Sequence, residues 1–161
     1  SKHSPYFNIM GITNAPDPAH NEIAAPLKQP AAAKDFIEGG VYDFLVTHGT
    51  NAALVKGSMN YIEGSLRPYR AEVIFLGIAL LSKQGADFQD TFFRETAAAV
   101  QARRVIPVHW DNFFEPLDSP LEPNIRIGDN FEENMKFMVR KCGEAGMGLT
   151  MMRGFDSILL F

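Results

Sequence analysis

EVIFLGIALL, residues 72–81, runs from one glutamate into an unbroken apolar stretch. A continuous apolar run of this length is typical of a central strand that is covered on both faces. A loop containing Gly85 follows, and then a helix is predicted over about 87–102, with Asp87 as a plausible N-cap. VIPVHW, residues 105–110, reads as the next strand. Strand, helix, strand forms a βαβ unit, which implies parallel pairing and a right-handed crossover.

The segments around this unit complete a sheet. VYDFLVT (41–47) and NAALVKG (51–57) predict a hairpin through His48-Gly49-Thr50, in which Gly49 can take a positive φ. A second helix is predicted over about 130–144, ending before Gly146, and 147–153 and 157–161 read as a closing pair of short strands. The expected buried stripe of that helix is Phe131, Met135, Met138, Val139 and Cys142. The predicted class is α/β, a mixed β-sheet with helices on one face and with the strand at 72–78 away from the sheet edge.

Composition bounds the function. The chain has 161 residues, of which 46% are hydrophobic and 21% charged, values that suit one soluble globular domain. The net charge is −4 and no Lys/Arg cluster reaches four, so an electrostatically driven nucleic-acid binder is not expected. No apolar run approaches the roughly 18–20 residues that a membrane span needs. The single cysteine, Cys142, excludes an internal disulfide and any cysteine-based zinc site.

Three places suit chemistry, because functional residues of open α/β folds gather at the carboxyl ends of strands. His3 precedes a proline-containing turn, Gly57-Ser58 ends the second hairpin strand, and His109 ends VIPVHW. Each signal alone is weak, since a lone strand-end histidine is more often structural and a Gly-Ser pair is usually only a turn. The chain contains no HExxH, GxSxG, P-loop or GxGxxG motif.

The order of the segments resembles the C-terminal half of the metallo-β-lactamase superfamily. The most similar branch contains ribonuclease Z-like enzymes, lactonases of the ascorbate-phosphate type and N-acyl phosphatidylethanolamine phospholipase D. SKHS places His3 at the family's third metal-binding histidine, VKGS places Ser58 at the bridging aspartate of its Gly-Asp motif, and VIPVHWDNF places His109 at its last metal-binding histidine. The His109 segment is the most specific part of the resemblance.

Two departures from that family shape the expectation. The HxHxDH metal motif is absent from the chain, so we expect residues 1–161 to be a single metallo-β-lactamase-like domain, a fragment that lacks the N-terminal half of an αββα sandwich. Ser58 stands where the family has a bridging carboxylate, and a neutral hydroxyl is a poor ligand for a hard or borderline cation. The substitution puts the second metal site in question and leaves two alternatives, a one-metal site or a bound metal with altered chemistry.

The resemblance implies a metal-dependent hydrolase of an ester, lactone or phosphodiester bond. Its cofactor would be zinc or another divalent metal, one or two ions in the full-length protein and none or weakly held metal in this chain, which alone would be inactive. Asp111 or Asn112 would orient His109 or meet the substrate, unless both are plain loop residues; Trp110 is expected in the core. The expected partners are a small-molecule substrate and either the missing N-terminal half or a second copy, which would cover the side chains of 72–78 and 105–108 that point away from the helices.

Two alternatives stay open at this point. In the first, the chain belongs to a non-catalytic binding or scaffold protein of the same fold, and the loss of the acid at Ser58 reflects that role. In the second, the family resemblance is dropped, the chain is an ordinary α/β binding domain, and His109 is structural, tied to a backbone carbonyl. An upstream HxHxDH motif would favour the hydrolase over the scaffold.

Overall fold

The computed structural model describes residues 26–31, 41–116, 118–124 and 128–161. They form one five-stranded sheet in the order β1-β2-β3-β4-β5. The strands are β1 Phe44–His48, β2 Asn51–Lys56, β3 Val73–Gly77, β4 Arg104–Val108 and β5 Gly148–Leu149. The helices are α1 Ala86–Phe93, which continues through a π-helical turn Arg94–Ala98, and α2 Phe131–Ala145. A 3-10 turn, Leu81–Lys83, follows β3.

The sheet is mixed, as the sequence predicts. β1 and β2 pair antiparallel through a tight turn at Gly49, whose φ is +60°, and the pairs β2–β3, β3–β4 and β4–β5 are parallel. β3 occupies the centre, so the expectation that 72–78 is not an edge strand is confirmed. The α/β class and the βαβ unit are therefore both confirmed.

Both helices pack on one face of the sheet. Side chains alternate along a strand, so Ile74 and Leu76 join the helix-side core while Val73 and Phe75 face the other way. The helices contribute their apolar stripes to that core: Phe92, Phe93, Phe137, Met138 and Cys142. This face carries the main hydrophobic core of the described residues.

The opposite face is covered unevenly. Near β4 the C-terminal segment lies across it: Met152 and Leu160 pack on Val73 and Ile106, and Arg104 Nη1 donates to the Leu159 carbonyl over 2.9 Å. The expectation that the outward side chains of 72–78 and 105–108 would be left uncovered is therefore wrong for Val73 and Ile106, which are buried within the chain.

Exposed apolar side chains instead concentrate on β1. All five of its residues are exposed, including Phe44, Leu45 and Val46. β1 is the last strand of the described sheet on its side, so it has a strand neighbour only at β2.

Three local predictions need correction. Asp87 is not the N-cap of α1; Gly85 holds that position without a side-chain bond, and Asp87 lies in the first turn. Val139 is exposed rather than buried, because Asn134 and Phe137 occupy the core-facing side of α2. Residues 157–161 form no strand; they lie over the sheet face instead of pairing at its edge.

The ends of α2 follow its sequence signals. Asn130 is the N-cap and its side chain accepts a hydrogen bond from the Glu133 N–H, while Gly146 closes the helix with a φ of +66°. Among the described residues, no helix has both the length and the apolar character needed to cross a membrane.

Candidate functional site

The predicted site residues Ser58 and His109 lie at the same edge of the sheet. β2, β3 and β4 run parallel, so Ser58 after β2 and His109 after β4 both follow carboxyl ends. β3 lies between them, which separates their backbones by about two strand spacings, ~9.5 Å. The structure thus brings Ser58 and His109 to one edge, whereas His3 lies outside the described residues.

Glycine is required at Gly77, the last residue of β3. A Cβ built on Gly77 would lie 2.0 Å from the Gly57 carbonyl oxygen and 2.6 Å from its carbonyl carbon. No side chain fits there, so β2 and β3 approach each other closely just before Ser58. The glycine of VKGS and the glycine of VIFLG therefore meet in space, a contact that the separate motifs do not reveal.

His109 presents its imidazole to solvent. Its backbone has a φ of +57°, a left-handed conformation that costs a non-glycine residue about 1 kcal/mol or more. The side chain is exposed, and the Phe113 ring stacks on it at 6.1 Å between centroids with 13° between planes. Within the described ranges the His109 side chain makes no hydrogen bond. The bond to a backbone carbonyl that a purely structural His109 would make is therefore not found there. A strained, exposed imidazole at a strand end is an arrangement found at functional sites.

The residues after His109 divide between loop structure and core. The Asn112 side chain accepts a hydrogen bond from the Phe114 N–H at 3.2 Å, which gives Asn112 a structural role in the loop. Asp111 makes a backbone bridge to Pro123, and in the described part of the chain its carboxylate makes no hydrogen bond to His109. Trp110 is half-buried against the helix-side core and lies 5.0 Å from the Phe131 ring, which confirms its assignment to the core.

A buried polar network, which the sequence reasoning missed, holds the chain just beyond β3. The Asp129 carboxylate accepts hydrogen bonds from the Leu80 N–H at 2.9 Å and from the Ser82 hydroxyl at 2.9 Å. The Asn134 side chain donates to Asp129 and to the Ile78 carbonyl, and its oxygen accepts from the Ser82 N–H at 2.6 Å. These bonds fix Leu80 in a left-handed conformation with a φ of +66°. The network therefore ties the chain just after β3 to the start of α2.

A buried ion pair lies just before Ser58 in the chain and was also missed. The Lys56 side chain is 1% exposed, and its ammonium lies 3.3 Å from the carboxylate of Asp43, the residue just before β1. Burial lowers the pKa of Lys56, and the charge and hydrogen bond of Asp43 oppose that shift. The hairpin register could have indicated this pair. Phe44 pairs with Val55, so extending the register by one residue places Asp43 opposite Lys56.

The described residues do not by themselves make a metal centre. In this part of the chain no group of three or more His, Cys, Asp or Glu side chains is placed to hold an ion. Of the described residues near this edge, the His109 imidazole, the Ser58 hydroxyl and the Asp111 carboxylate are not grouped as the three or four protein ligands that zinc normally takes. A metal at His109 would need donors from outside the described ranges.

Comparison of the chain with models of protein families, with curated proteins and with solved structures finds no match. The resemblance to the metallo-β-lactamase superfamily therefore rests on the motif residues themselves.

Proposed function

We propose that this chain carries part of the active site of a metal-dependent hydrolase that cleaves an ester, lactone or phosphodiester bond. The observation that supports it best is the exposed His109 imidazole, held on a left-handed backbone at the same sheet edge as Ser58. A histidine with no hydrogen bond in the described part of the chain keeps a ring nitrogen available for a ligand. This position is also the one that the motif VIPVHWDNF assigns to a metal-binding histidine.

The proposal gives each residue a role. His109 and His3 would be metal ligands, and zinc or another divalent ion, when bound, would lower the pKa of its water towards about 7 and polarise the bond to be cleaved. Ser58, about two strand spacings from His109, would meet the substrate with its hydroxyl. Asp111, two residues beyond His109, would contact the substrate or the water around it. The close contact of Gly57 with Gly77 lies directly before Ser58.

Two histidines are too few for a tight site, so the remaining ligands would come from the N-terminal half that the resemblance assigns, or from a second copy. We therefore expect this chain alone to hold metal weakly or not at all and to be hydrolytically inactive. In a protein that also carries the HxHxDH motif, His109→Ala should lower both metal content and hydrolysis.

A second candidate function is a non-catalytic binding or scaffold protein of the same fold. Ser58 supports it, because a hydroxyl replaces the carboxylate that would bridge two ions. The two candidates differ in one measurement on a protein that also carries the HxHxDH motif: the hydrolase cleaves ester, lactone or phosphodiester substrates when zinc is supplied, whereas the scaffold shows no hydrolysis under any metal condition.

Zinc titration followed by imidazole NMR tests the metal assignment even if binding is weak. The chain has four histidines, so their ring signals can be assigned by substitution. We expect the signals of His109 and His3 to shift together. His48 is the matched control: it is an exposed strand-end histidine, but β1 runs antiparallel to β2, so it lies at the opposite edge of the sheet. Equal shifts at His48 and His109, or no shift at His109 in a protein that also carries the HxHxDH motif, would contradict the assignment.

A further inference from the structure

The helix α2 carries a second apolar row besides the residues that face the core. Phe131, Met135 and Val139 follow one another at intervals of four residues, which places them along one side of the helix, and we name them the outer row. Phe131 and Met135 are half-buried, and Val139 is 59% exposed. A groove of about 500 Å³ lies along this row, lined by Phe131, Glu132, Met135, Lys136, Val139 and Arg140. Apolar surface is thus left in solvent on a helix whose other side is buried.

Charged residues form a second row beside the outer row, with the same spacing. The side chains of Glu132, Lys136 and Arg140 are 66%, 61% and 57% exposed. Lys136 is neutralised within the helix, because its ammonium lies 3.0 Å from both the Glu132 and the Glu133 carboxylates. Arg140 is held less closely, since its guanidinium lies 3.7 Å from the Glu144 carboxylate. The charged row therefore runs from a negative residue at Glu132 to a positive residue at Arg140.

This pattern is complementary to itself when a second α2 runs antiparallel to the first. Phe131 then faces Val139 of the second copy, and Met135 lies at the centre of the contact in both copies. The same alignment places Glu132 opposite Arg140 of the second copy, and the reverse, so apolar contact and two ion pairs form together. Rows with a spacing of four residues are also the ridges that interlock in the commonest class of helix packing. A parallel alignment would instead place like charges opposite each other. The order of the charges therefore favours an antiparallel copy of α2 as the occupant.

We propose that the outer row is the contact surface of a homodimer in which two α2 helices pack antiparallel. The inference is independent of the proposed hydrolase function, because it uses no residue of the sheet edge that carries Ser58 and His109. The contact is short: α2 has 15 residues and is about 22 Å long, and its outer row buries less than the roughly 1,200 Å² of a stable interface. We therefore expect a weak dimer, with a Kd of about 100 µM.

Sedimentation equilibrium at chain concentrations from about 10 µM to about 1 mM measures this association. We expect wild type to show a reversible equilibrium between monomer and dimer. Val139→Glu should stay monomeric, because its dimer would bury two carboxylates without partners. Val46→Glu is the matched control: Val46 is 57% exposed on β1, so the same substitution is made at nearly equal exposure on another surface and should leave the Kd unchanged. Far-UV circular dichroism verifies that each variant is folded.

Charge reversal tests the antiparallel alignment. Glu132→Arg and Arg140→Glu should each weaken the association of the variant with itself about tenfold, because like charges then face each other across the contact. An equimolar mixture of the two variants should associate with the wild-type Kd, because opposite charges face each other again in the mixed dimer. A chain that stays monomeric at about 1 mM would overturn the inference. So would a dimer that Val46→Glu disrupts and Val139→Glu does not, or a mixture that associates no better than either variant alone.

Discussion

Removing the Asp129 carboxylate tests whether the buried network holds the loop beyond β3. In Asp129→Ala the Leu80 N–H loses its acceptor, and the Ser82 hydroxyl and the Asn134 amide each lose one of their partners. A buried donor left without an acceptor costs about 1–3 kcal/mol, and Leu80 also loses the bond that stabilises its left-handed backbone. Because the Asn134 amide keeps its bond to the Ile78 carbonyl, the free-energy cost of each group that loses a partner lies near the low end of that range. We expect a loss of about 4 kcal/mol in the free energy of unfolding.

Urea denaturation followed by circular dichroism measures this loss. With an m-value of about 2 kcal/mol/M, the midpoint should fall by about 2 M. Asp129→Asn keeps the shape but turns one acceptor into a donor, so it should cost about half as much. Asp118→Ala is the control, since Asp118 is exposed and should change stability by less than about 0.5 kcal/mol. If Asp129→Ala costs less than about 1 kcal/mol, or no more than Asp118→Ala, the network does not hold the loop as reasoned.

Three further predictions concern single positions. Gly77→Ala should destabilise the chain by about 3 kcal/mol or more in the same urea assay, because its Cβ would lie 2.0 Å from the Gly57 carbonyl oxygen. Gly143→Ala is the control, since Gly143 lies on α2 with open space around it, and this substitution should be neutral or stabilising. Similar effects at both glycines would argue against the close contact between the strands. Burial lowers the pKa of Lys56 in the folded state, so between that pKa and the ordinary lysine value of 10.5 the unfolded chain binds more protons than the folded chain. The free energy of unfolding of wild type, relative to that of Lys56→Met, should therefore rise as the pH approaches 10.5. A fall would contradict the buried cation. Burial also raises the pKa of the Cys142 thiol to about 11. A disulfide reagent near pH 8 should therefore label Cys142 only after the chain unfolds. Rapid labelling of the native chain would show that α2 is not packed as described.

Patterns confined to a few neighbouring residues predicted their structure well. The apolar run at 72–81 predicted the central strand, Gly49 the hairpin turn, and Gly146 the end of α2. These signals are local, because backbone conformation and side-chain alternation depend mainly on adjacent residues. The shared edge of Ser58 and His109 was predictable for the same reason, since it follows from parallel strands alone.

Interactions between distant parts of the chain were not predictable in this way. Asp129 binds the Leu80 N–H across 49 positions, and nothing near either residue indicates the other. Val139 fits the apolar stripe of α2 by spacing, yet Asn134 and Phe137 are buried on the core-facing side of the helix and Val139 is exposed. Residues 157–161 have strand-like composition, yet they cover a sheet face because that face would otherwise expose Val73 and Ile106.

For this protein the sequence by itself determined the α/β class, the central strand and the two helices, the parallel order around β3, and the edge at which Ser58 and His109 lie. The tertiary structure alone decided which polar groups are buried, that His109 takes a left-handed backbone under Phe113, and that Phe113 and Phe114 remain in solvent. The physical reason is the range of the interactions: periodicity and turn chemistry act between neighbours, whereas burial and hydrogen bonding depend on which segments the fold brings together.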